Sequence, residues 1–271
     1  MGQVVHTLPE GPVVAGVTSL GDEVFVLRHK TSDQVEVYDV ITYRLQRCIT
    51  LSKSDGVNDM TSCEHYQCVY IADPILSYIH RVDVQGAATH WAVNDIPHGL
   101  SVNKANNVLV TCHVVRKIKE FSSHGHLLRE ITLPDDVIKP WHAIQLTSGQ
   151  FVVCHGHCTD PIHRVSVVSE NGHDTLLAHG GQQGADTGQY DVPAHLAVDN
   201  NEFVFVADQN NRRVTLLSPT LNYIRQVVSR DKLRWYPTRV HLDVQKRRLY
   251  VAENEWKDGK WTSGRVVVFS V

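Results

Sequence analysis

The 271-residue sequence has no long stretch with the 3.6-residue apolar period of an amphipathic helix, which excludes a core of packed helices. No apolar run approaches the length of a membrane-crossing helix, so no membrane partner is expected. The first residues lack the apolar region of a secretory signal, and no Asn-x-Ser/Thr acceptor occurs; a cytoplasmic chain is the expectation. Neither sign of charge dominates: 26 Lys and Arg stand against 29 Asp and Glu, and a net charge of −3 supplies no global field for nucleic acid or anionic lipid. Linkers, low-complexity tracts and long charge runs are missing too, which points to a single domain. The glycine-rich run Gly180–Gly184 has no Lys-Ser/Thr pair and is expected to be a connection, not a phosphate loop. No Gly-x-Ser-x-Gly elbow occurs, so no catalytic residue is assigned.

What the sequence does contain is a repeat. A proline opens an apolar strand, and Asp or Asn follows six places on: Pro97 and Asn103, Pro193 and Asp199, Pro237 and Asp243, with Pro140 opening a similar run. Each unit continues with a short β-rich run, as in Val69–Asp73, Phe205–Asp208 and Tyr250–Glu253. Units recur every 40–50 residues or so, the period of a four-stranded propeller blade. Six units predict an all-β, six-bladed propeller of antiparallel blades over residues 11–52, 57–93, 95–133, 138–180, 190–229 and 235–271. The last unit has room for three strands only, so the segment 3–8 is expected to supply its outer strand and close the ring. Asp73, Asp208 and Glu253 recur at one blade position and are expected to cap loops through backbone amides. Of six cysteines, Cys112 and Cys154 stand where other blades place Ala72, Ala207 and Ala252, and are read as buried, reduced packing residues.

The run from Pro193 through Leu196-Ala197-Val198-Asp199 to Val206-Ala207-Asp208, Asn211 and Arg213-Val214 resembles an NHL repeat, the propeller module of tripartite-motif NHL proteins. The resemblance implies a recognition platform without catalysis, probed by single-stranded RNA or by protein segments at the face where blade-entry loops gather. Carried onto matching positions, it implies a binding set of His98, Trp141, His142, His195, Arg212, Trp235, Tyr236 and Arg239. No RING, B-box or coiled coil is present, so ligase activity is not implied. A monomer is expected. The segment Asn254–Gly264, with Trp256 and Trp261, reads as a projecting loop, either a partner-binding lip or a segment folded back over blade one.

Seventeen histidines are many for this length. His98, His142 and His195 fall at inner-strand entries of three successive units, and His113, His155 and His157 at the following second-strand ends. Both positions belong to one face, so imidazoles from separate blades are expected to gather there as candidate zinc ligands: His98, His142, His195, His113 and His155. This pattern is similar to the peptidyl-hydroxyglycine amidating lyases, six-bladed propellers whose zinc is held by channel histidines. It implies an alternative function, a zinc-dependent enzyme.

Overall fold

The computed structural model describes residues 2–29, 34–51, 54 and 56–271; residue 52, the expected end of the first blade, lies outside them. Six four-stranded antiparallel sheets form a ring, and the helical content of the described residues is one 3-10 turn, Arg230–Lys232. The first strands of the blades are Val14–Leu20, Asp59–Cys63, Gly99–Val102, Pro140–Gln145, Pro193–Val198 and Tyr236–Asp243. Each of them packs against the first strands of the two neighbouring blades, so they line a central channel.

Position within the blade sets the burial pattern. Second strands such as Cys68–Asp73 and Val204–Asp208 are buried at every residue, because a neighbouring blade covers each face. Those segments therefore read as continuous apolar runs ending in one acid. Outer strands such as Ala88–Ala92 are exposed at most positions. The core consists of apolar clusters wedged between successive blades; one joins Leu27, Val35 and Phe25 of blade one to Val69 and Ile71 of blade two.

The ring closes as expected. Gln3–Thr7 pairs antiparallel with Lys260–Ser270, with Gln3 opposite Ser270 and Thr7 opposite Val267, and becomes the fourth strand of blade six. Leu8 follows it into the core at 0% exposure, a burial that contributes roughly 1.5–3 kcal/mol. Arg28, itself buried, fastens the segment behind: its guanidinium donates to the carbonyls of Pro9, Pro12 and Gly264 and pairs with Glu36 at 2.8 Å.

Two local expectations change. Asn254–Gly264 is not a loop: the second and third strands of blade six, Arg248–Lys257 and Lys260–Ser270, run on as a hairpin past the other blades. The turn explains it, since Asp258 and Gly259 both take positive φ (52° and 76°), the geometry of a two-residue turn matched to strand twist. Gly180 and Gly181 end the outer strand of blade four, Thr175–Gly181, paired with Arg164 and His163, and only the residues after them form the connection.

Candidate functional site

One residue per blade occupies the same register slot near the start of the first strand. Gly16 lies opposite Leu27, Asp59 opposite Ala72, His142 opposite Cys154, His195 opposite Ala207 and Arg239 opposite Ala252. Gly99 pairs with Thr111, so His98 just ahead of its strand continues the same register toward Cys112. Where the throat residue carries a long side chain, its second-strand partner is small, Ala72, Cys154, Ala207 or Ala252; Gly16 alone faces a large one, Leu27. These six positions form a throat made of one glycine, one acid, three histidines and one arginine.

Inside the throat, Asp59 is the hub. Its Oδ2 accepts the backbone N–H of Leu100 at 2.7 Å, and its Oδ1 accepts Arg239 Nε–H at 3.1 Å from blade six. His195 Nε2 faces the same Oδ1 at 3.4 Å from blade five, across the channel. All three side chains are buried. Burial opposes charge on Asp59, but the neighbouring His195 and the Arg239 guanidinium outweigh it and hold the carboxyl below the ordinary carboxylate range. The remaining Arg239 donors go to Thr238 O and to Asn58 O and Oδ1. His142 stacks on His195 with ring centres 3.8 Å apart, and its Nε2–H donates to Leu100 O at 2.9 Å. Burial, followed by the charge of His195, pushes the His142 imidazole down to about 3, so it is neutral at physiological pH. Gly99 makes this approach possible: a Cβ there would sit 2.4 Å from Trp141 O and 3.0 Å from the His142 Cα.

The five expected metal histidines divide. His142 and His195 converge, and Asp59 joins them: their ligand atoms all lie within 4.8 Å of one another. His98 and His113 stand apart as a stacked pair, 5.2 Å between centres, with His98 edge-on to Trp141. Burial first, then Arg239, pushes His98 down to about 3. His155 is fully buried within blade four, where its Nε2 meets Ser166 Oγ at 3.0 Å, and burial lowers it to about 4. His157 stacks on Trp141, whose indole N–H donates to Gly156 O.

Above the throat opens a cleft of about 990 Å³. Trp141 and His157 from blade four line one side, Tyr236, Trp256 and Trp261 from blade six another, and Pro74 and Ile75 from blade two a third; Arg239 lies at the floor. The extended hairpin carries Trp256 and Trp261 edge to face at 4.9 Å, with Tyr236 next to Trp261 at 6.0 Å. Asn254 fixes the rim, since its side chain bridges Val14 N and O and Thr238 Oγ1. Arg212 rests over Tyr236 at 4.7 Å. Trp235 is not on this surface: it is buried, with the guanidinium groups of Arg234 and Arg265 at 4.6 and 5.6 Å from its ring. The repeated acids act as caps: Asp73 accepts Leu76 N–H, Asp208 accepts Asp191 N–H and Glu253 accepts Trp235 N–H. Cys112 and Cys154 are buried and their thiols pushed up to about 12 by burial.

No protein-family model and no curated protein matches the chain. Solved structures do. The chain is similar to a structural-genomics protein of unknown function from Bacteroides thetaiotaomicron, with TM-score 0.71 and 12% identity over 99% of this chain and 72% of that one. It is similar to virginiamycin B lyase from Staphylococcus aureus, with TM-score 0.65 and 10% identity over 97% and 99%. A third likeness is the Cps50 (Swd1) propeller domain of Myceliophteria thermophila, with TM-score 0.65 and 11% identity over the whole of both chains. At these identities the likeness is one of fold alone, that of a β-propeller.

Proposed function

We propose that the protein is a binding module whose top cleft receives an extended segment of a partner protein. The cleft carries this reading: it is concave, walled by four large aromatics and built on rigid strands, with polar groups confined to its floor and rim. A propeller rim keeps such a surface preorganised, and the NHL-like run in blade five supports the same use. Single-stranded RNA is the weaker candidate, because the arginines that would track a phosphate backbone are engaged. Arg213 pairs with Asp208, Arg239 with Asp59, Arg265 with Glu253 and Arg234 with Glu10.

Selection of a displayed random-peptide library against the purified protein tests the proposal. Enriched peptides should bind the parent and lose at least about tenfold in affinity in a Trp256→Ala, Trp261→Ala double variant, as expected for removal of aromatic anchors. Peptides that bind parent and variant equally would overturn the assignment to this cleft. Tight binding of a random single-stranded RNA pool, with a steep salt dependence, would overturn the choice of ligand.

A further inference from the structure

We propose that Asp59, His142 and His195 bind a divalent transition-metal ion at the cleft floor, and that zinc suits their donors. The site goes beyond the peptide-binding reading and does not depend on it. It brings together blades two, four and five, and one nitrogen in it, His142 Nδ1, is left over by the fold. His142 Nε2–H is spent on Leu100 O, so Nδ1 carries a bare lone pair; that atom is buried and has no hydrogen-bond partner. The backbone N–H of Val240 reaches His195 Nδ1 at 3.5 Å. His195 Nε2, also buried, faces Asp59 Oδ1 at 3.4 Å, a contact that an ion between them would replace. Unpaired buried polar atoms cost free energy and are rare in native folds, so His142 Nδ1, clustered with Asp59 and His195, calls for a partner.

The surroundings are those of a ligand set. A single residue, Leu100, orients two of the three donors: its N–H holds Asp59 Oδ2 and its C=O holds His142 Nε2. Such outer hydrogen bonds on the far atoms of ligands fix imidazole and carboxylate orientation in metal sites. Donors about 2.0–2.2 Å from a tetrahedral zinc ion stand roughly 3.3–3.6 Å apart. The three donor atoms lie within 4.8 Å of one another, so a contraction of about 1–1.5 Å assembles the site. Two imidazoles and one carboxylate match zinc better than magnesium or calcium, and three protein ligands leave a fourth position for water. Arg239 is the competitor: an ion would share Asp59 with it, while the guanidinium keeps its bonds to Thr238 and Asn58.

The test is calorimetric titration of tag-free, chelator-stripped protein with zinc chloride alone. The parent should bind one equivalent, and its melting temperature should rise with zinc. His142→Gln and His195→Gln, made separately, should each weaken that binding at least about tenfold, the loss expected of a ligand position. Melting without metal shows which variants are folded, and each folded one is decisive. A control, His124→Gln with His126→Gln, removes an exposed pair and should leave binding unchanged. Substoichiometric zinc in the parent, equal zinc in the throat variants, or loss of zinc in the surface control would each overturn the site.

Discussion

The two ends of the channel use the same residue types to opposite effect. At the lower end a second cleft, about 360 Å³, is lined by Ser19, Ser62, His241 and Asp243. There His241 is fully engaged: Ser19 N–H and Oγ meet its Nε2 at 3.0 and 2.8 Å, and Thr18 Oγ1 lies 3.5 Å from Nδ1. Ser19 Oγ also reaches Asp243, and Ser62 Oγ donates to Ser19 O. Hydrogen-bonding capacity is used up in stitching blade six to blades one and two. At the upper end, His142 Nδ1 is buried and unspent. A histidine with both nitrogens satisfied is architecture; one with a nitrogen to spare is a resource. The lower network thus resembles a serine–histidine pair in composition while serving the ring.

Three experiments press on this contrast. The largest effect should come from deleting residues 2–8, which opens the ring and exposes an unpaired strand edge. Melting temperature should fall by more than about 10 °C, since several kcal/mol are lost and about 2–4 °C accompany each in a domain of this size. Probes at the two ends should melt together; an unchanged melt would refute closure by this strand.

Second is Arg239→Leu, which strands the buried Asp59 carboxylate. A loss of about 3–5 kcal/mol is expected in chemical denaturation. Ser19→Ala at the lower end removes hydroxyl bonds from a network that keeps other partners and should lose about 1 kcal/mol. Equal losses would erase the distinction between the ends.

The third is a pH dependence at the lower end. Burial pushes His241 down to about 4, opposed by Asp243 and assisted by His195. Its folded value lies below the unfolded one near 6.5, so the folded state resists protonation. Stability from this group is complete above pH 6.5 and is lost as pH falls from 6.5 towards 4. The slope approaches about 1.4 kcal/mol per pH unit for one histidine. Urea denaturation of parent and His241→Gln at pH 7.5, 6 and 5 checks it; the variant should lack this share of the acid loss.

The ring and its closure were legible because the proline-to-Asp spacing marks first strands, and an incomplete last unit demands a strand from elsewhere. His142 and His195 were legible for the same reason. Asp59 was not. In the blades opened by Pro140, Pro193 and Pro237, the register slips between the proline and the residue two places on. Blade two has Val57 in place of that proline and pairs without a slip, so counting from an anchor misses its throat residue. The signal available was the partner: Ala72 opposite Asp59 matches Ala207 opposite His195. His155 was misassigned because the end of a second strand turns into its own blade, where Ser166 receives it. The Trp256–Trp261 projection was legible as aromatics on a protruding segment, but its form was not: the segment is a strand hairpin turning at Asp258-Gly259, not a loop.

Strand Gln3–Thr7 lies antiparallel to Lys260–Ser270, with Gln3 opposite Ser270. Both ends of the chain therefore leave the ring side by side, at the end of the channel that holds Ser19 and Asp243 and away from the cleft. A partner domain, a tag or a solid support attached at either terminus would hold the molecule by its base with the cleft facing outward. Joining the termini by a short linker and cutting the chain at the Asp258-Gly259 tip would yield a circularly permuted propeller whose new ends flank the aromatic arm.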